Sequence, residues 1–177
     1  MSHILFFIEV VLGGILLSSA IDHSKNRYIF QNEIRKYNLI KNKVLINDLS
    51  VIIILLEFVL GLFFVLHISK WTSIIGSILL FLLFTFAILI NLIKGNVNIN
   101  CGCGGIVGDQ LLSWKLLIRN IYIILLLIFD LIYSYILTDS KTVYNPAIIS
   151  IIYGTALLTL LIIKTNAYLK KIGELLT

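Results

Sequence analysis

Residues 50–94 read SVIIILLEFVLGLFFVLHISKWTSIIGSILLFLLFTFAILINLIK. Two apolar runs, 50–69 and 72–94, are joined by little more than Ser69, Lys70 and Trp71. Each is close to the ~20 residues that carry a helix across a bilayer. So short a connection forces an antiparallel helical hairpin, with Lys70 and Trp71 marking a membrane interface. Outward from this hairpin the pattern recurs at 3–21, 116–138 and 147–169. Of the 177 residues 59% are hydrophobic and 13% charged, and the mean hydropathy is +1.04. An ordinary soluble domain has roughly 45–50% and about 25%, so a soluble globular fold is excluded. The expected fold is an all-α integral membrane protein, a single membrane domain over 1–177. It comprises a four-helix transmembrane bundle plus a fifth C-terminal transmembrane helix, which Asn145-Pro146 opens as cap and first-turn proline. Glu9 inside the first run, with no basic region before it, reads as a mature helix rather than a signal peptide.

The net charge of +5 comes from 14 basic and 9 acidic residues, and the basic ones lie mostly between the spans. The partner this distribution implies is the lipid bilayer, not nucleic acid. Within the loop 22–49, Phe30, Ile34, Tyr37, Ile40 and Val44 recur at the spacing of one helical face. That predicts an interfacial amphipathic segment between the first two spans; the alternative is a solvated basic loop.

The chain has two cysteines, and they stand one residue apart in Asn100-Cys101-Gly102-Cys103-Gly104-Gly105. Cysteines serving as small apolar filler would be scattered through the spans. A bond across one intervening residue constrains almost nothing in the unfolded chain, so the use of this pair lies in its reactivity. A disulfide in so small a ring is strained, and strained, exposed disulfides have the more oxidising potentials. Gly102 allows the backbone angles such a ring demands. Lys94, Lys115 and Arg119 flank the loop and would favour thiolate formation. Metal ligation and an inert pair are the alternatives. No metal is expected, because two thiolates lack the usual further ligands and no histidine lies near in sequence.

Asn91-Leu92-Ile93-Lys94-Gly95, the cysteine run, Leu112-Ser113-Trp114 and Arg119-Asn120 together resemble the methylamine-utilisation MauE family of DoxX-like membrane proteins. Leu16 to Ala20, leading through Phe30 and Tyr37, and Leu56-Glu57-Phe58-Val59-Leu60-Gly61 follow the same pattern. The resemblance covers most of the chain, and the cysteine run is its specific part. Gly104 stands where that family commonly has an aromatic. The resemblance implies a membrane protein that works with a thioredoxin-like partner to mature a disulfide-containing exported client. The arrangement is more distantly similar to vitamin K epoxide reductases and DsbB-type proteins, in which a helical bundle holds cysteines beside a quinone. Those proteins commonly have two cysteine pairs, and this chain has one.

Polar groups inside the spans are costly and face the bundle interior or a cavity. Glu9, Glu57 and Asp130 are read as interhelical contacts or as parts of a proton path. Asn91, Arg119 and Asn120 lie on segments that end toward the cysteine loop and are expected to support it. His67, near Lys70, carries no assignment. Five spans place the 22–49 loop, the cysteine loop and the C-terminus on one side, with every basic residue except Lys70 and Lys141. The positive-inside rule then favours cytoplasmic cysteines, whereas a working disulfide belongs in an oxidising compartment. The redox argument is followed: a multi-pass cell-membrane protein with an extracytoplasmic cysteine loop. The leading functional reading is an enzyme, a thiol–disulfide oxidoreductase using Cys101 and Cys103. The alternatives are a non-catalytic scaffold docking a thioredoxin-like or export protein, and a small transporter.

Overall fold

The computed structural model describes residues 2–39, 42–97, 99–101, 111–136 and 146–175. Six helices follow in chain order: α1 Ser2–Lys25, α2 Arg27–Lys36, α3 Lys43–Val65, α4 Lys70–Ile93, α5 Trp114–Ile136 and α6 Pro146–Leu175. Four stretches are long and apolar enough to cross a membrane: His3–Lys25, Lys43–Val65, Lys70–Ile93 and Trp114–Ile136. The protein is therefore a multi-pass integral membrane protein of the all-α class.

The expected fifth transmembrane helix at 147–169 is not a span. Among the described residues the apolar part of α6 is Ile151–Asn166. At 1.5 Å per residue this reaches about 24 Å, against a hydrocarbon core of ~30 Å. Lys164, Thr165 and Asn166 end the apolar run. The segment instead packs along α1, with Ile152 and Ala156 against Phe6 and Val10. The fifth-span argument that put the C-terminal lysines on the cysteine side falls with it. Two spans, α3 and α4, still separate the 22–49 loop from the cysteine loop, so these two share a membrane face.

α1 and α3 are antiparallel and meet at glycines. A Cβ on Gly61 would lie 2.8 Å from Leu17 Cγ and 3.0 Å from the Gly13 carbonyl, and one on Gly13 would lie 2.8 Å from Phe64 Cβ. Without a hydrophobic effect between helices in lipid, such close backbone approach is what gives the pair its dispersion energy. α5 buries Leu116, Asn120, Ile124, Leu127 and Asp130, one stripe at helical spacing. The central core joins Leu12, Leu16, Leu60, Phe64, Ile74, Leu80, Phe81, Ile124 and Leu127. Outward-facing Leu79, Leu82, Leu83 and Phe86 of α4 are exposed, as lipid-facing residues of a span are.

The amphipathic segment is α2, and its buried face differs from the expected one. Phe30, Glu33 and Tyr37 are buried, Ile34 is half-buried, and Val44 is exposed in the first turn of α3. Ile40 lies outside the described residues. A carboxylate thus takes a place on the inner face. Side-chain bonds from Arg27 Nη2 (2.8 Å) and Gln31 Nε2 (2.9 Å) to Asn47 Oδ1 hold α2 to α3.

Candidate functional site at the cysteine end of the bundle

α4 ends at Ile93 and is capped by Lys94, after which Gly95 takes φ +75°, a left-handed turn that glycine adopts without strain. Asn91, fully buried, fixes this turn. Its Nδ2 donates to the Ala87 carbonyl at 3.0 Å, and its Oδ1 accepts from Asn96 Nδ2 at 3.3 Å. The chain then forms the base of a hairpin: Asn100 and Leu111 make an antiparallel bridge, and Leu112 N donates to the Ile99 carbonyl at 2.9 Å. Cys101 follows directly. It is 8% exposed and disulfide-bonded rather than a free thiol. Gly102 and Cys103 lie outside the described residues.

Tyr37 holds Cys101 from the opposite side, its hydroxyl donating to the Cys101 carbonyl at 2.8 Å. Burial, and next the Glu33 charge, push this phenol well above the ordinary tyrosine range, so it stays a neutral donor. Around the two pack Ile88, Leu92, Ile99, Leu112, Leu116 and Leu117. An apolar cavity of about 230 Å³ opens beside them, walled by Phe30 and Glu33 of α2, its C-cap Tyr37, Ile53 of α3, Leu83, Phe84, Phe86 and Ala87 of α4, and Cys101. Leu83 and Phe86 are exposed on the lipid side. On the other side of α2 lies an open groove of about 560 Å³, formed by Tyr28, Ile29, Asn32, Glu33, Arg35, Lys36 and Asn100. α2 is therefore a partition, and among the described residues Glu33 is the one side chain that borders both spaces.

The remaining sequence-predicted residues separate into three groups. Lys94 is exposed at the end of α4, Arg119 is half-buried with its Nε lacking a hydrogen-bond partner among the described residues, and Asn120 is buried on α5. Glu57 accepts from Ser19 Oγ at 3.1 Å, and Ser19 Oγ also lies 3.1 Å from His23 Nε2, whose ring stacks on Phe30 at 3.9 Å. Glu9 and Asp130 meet at the far end of the bundle, where Lys70 Nζ lies 2.8 Å from Glu9 Oε1 and 3.0 Å from Asp130 Oδ1. His67 Nδ1 stands 3.3 Å from Glu9 Oε2. Glu9 and Asp130 are thus held away from the cysteines.

Sequence reasoning gave no role to Glu33, Ser19, His23 or His67, and it read Lys70 only as an interface marker. Three of these had a signal. Glu33 lies three residues after Phe30 and four before Tyr37, on the face already read as buried, and Ser19 and His23 are four apart on α1. Lys70 turns inward because the short α3–α4 connection brings it level with two carboxylates. No local pattern announces that.

Fold and site define a DoxX-like multi-span membrane protein with a cysteine segment anchored at one end of its helices. The family described as Methylamine utilisation protein MauE matches residues 1–133, and the chain belongs to it. No curated protein and no solved structure matches the chain.

Proposed function

We propose that the protein is a membrane thiol–disulfide oxidoreductase that supports maturation of disulfide-containing exported proteins, with Cys101 and Cys103 as its redox pair. The observation that carries the reading is the state and place of Cys101: disulfide-bonded, with its carbonyl bound by Tyr37, and bordering a cavity open toward lipid. The sequence holds two cysteines, so Cys103 is the intrachain partner available to Cys101. Family membership by itself assigns no reaction. The cysteine loop is placed on the extracytoplasmic side, where a disulfide persists.

In this reading a thioredoxin-like protein or the client itself exchanges thiols with the pair through a mixed disulfide. A mostly apolar lining, with Tyr37 and Glu33 as the polar residues among it, supports a quinone as the second reactant. A quinone bound there would supply a two-electron, two-proton acceptor. Phe30, Phe84 and Ala87 would hold the ring. The test is differential thiol labelling of the full-length protein in membranes before and after reductant. The expected outcome is that Cys101 and Cys103 resist labelling until reduced and close again on addition of a soluble quinone. Equal labelling in both states would overturn the proposal.

A further inference from the structure

We infer that Glu33 is the proton-exchanging residue of the cysteine site, carrying protons between the water-open groove and the cavity that Cys101 borders. The inference rests on the redox reading above and adds to it the group through which protons move.

Thiol–disulfide exchange requires protons to move as well as electrons. When a partner dithiol reduces the pair, one partner thiol gives up its proton and its sulfur bonds to one sulfur of the pair. The Cys101–Cys103 bond breaks, and the released sulfur takes a proton. The partner's second thiol then gives up its proton and attacks the partner's bonded sulfur, and the remaining sulfur of the pair leaves and takes a proton. Two electrons and two protons pass from the partner, now a disulfide, to the pair, now a dithiol. Each attacking thiol must lose a proton, and each departing sulfur must gain one.

Glu33 meets both requirements by position. It is 5% exposed, yet it borders the groove together with Arg35, Lys36 and Asn100, and the cavity together with Tyr37 and Cys101. Among the described residues, charged and titratable groups near it come from α1 and α2. α2 contributes Arg35, Lys36, Tyr28 and Tyr37; α1 presents His23, stacked on Phe30; and α3 and α4 wall the cavity with apolar side chains alone. Arg35 and Lys36 make the groove positive, which favours an arriving thiolate. Tyr37, one turn on from Glu33, is bonded to the Cys101 carbonyl, so the carboxyl and the cysteine segment are fixed to one helix.

The experiment measures single-turnover exchange between dithiothreitol and the full-length protein in nanodiscs, from pH 5 to 9, for wild type, Glu33→Ala and Glu33→Gln. General acid–base contributions are typically ~10²–10⁴-fold, so both variants should slow by at least about 10-fold and lose the wild-type pH dependence. Acetate, small enough to enter the groove, should restore Glu33→Ala in proportion to its concentration. An unaltered rate in both variants would overturn the inference, as would a slow Glu33→Ala that acetate leaves slow while its melting temperature is that of wild type. Should Glu33→Ala not fold, the pH profile of the near-isosteric Glu33→Gln decides. A wild-type pair that exchanges with no dithiol would overturn the redox reading itself, and with it this inference.

Discussion

The two ends of the bundle handle polarity in opposite ways. At the Lys70 end, one cation and a histidine meet two carboxylates from different helices, Glu9 of α1 and Asp130 of α5. The ion pairs of Lys70, on α4, with Glu9 and Asp130 tie three helices together. At the cysteine end, Glu33, Tyr37 and Cys101 surround space: a groove on one side of α2 and a cavity on the other. The polar groups at the first end join helices, and those at the second border open space. The contrast assigns stability to one end and reactivity to the other.

The sharpest way to break the contrast is Lys70→Met. It leaves two carboxylates buried without their cation, and removing one partner of a buried pair costs about 3–5 kcal/mol. Thermal unfolding in detergent should show a loss of that order, while any protein that stays folded keeps its Cys101 disulfide. A small change in melting would mean that the Lys70 end is no tie. Next in size is Gly61→Leu, whose Cβ would press on Leu17 and the Gly13 carbonyl. Overpacking of this kind costs about 1–3 kcal/mol, and Gly95→Ala, with open space around it, serves to separate crowding from backbone strain.

Smaller still is Tyr37→Phe, which removes the hydrogen bond to the Cys101 carbonyl, worth about 1 kcal/mol. Because the folded state raises the Tyr37 pKa above the ordinary 10.0, its stabilisation is intact below that pH and is lost as pH rises further. Tyr37→Phe should flatten that part of the alkaline melting curve. The smallest stability effect belongs to Cys101→Ser, since a ring closed over one residue contributes little loop-closure entropy. Its melting temperature should stay near that of wild type while client maturation is lost, the reverse of Lys70→Met.

Much of the bundle is legible in the sequence because membrane spans are written in local hydropathy: the runs at 3–21, 50–69, 72–94 and 116–138 each fall largely within an observed helix. The last run misled because length was counted through Lys164 and Asn166, which end the apolar segment. Cys101 stands out in the sequence for the same local reason, two cysteines with a single glycine between them. Glu33 does not, because its meaning depends on the spaces on either side of α2, which arise only when α3, α4 and the cysteine hairpin assemble. Lys70 shows the same limit: its charge is local information, whereas the two carboxylates it meets lie 61 and 60 positions away in the chain.

The central claim is that Cys101 and Cys103 exchange electrons with a protein partner. Its most direct test is to express Cys101→Ser and Cys103→Ser separately, trap thiols with acid, and identify by mass spectrometry what is bonded to the remaining cysteine. The account predicts that one variant accumulates a mixed disulfide with a thioredoxin-like protein or an exported client, released by reductant, and that neither supports maturation. Two variants that both mature the client at wild-type levels, with no protein bonded to either cysteine, would contradict it.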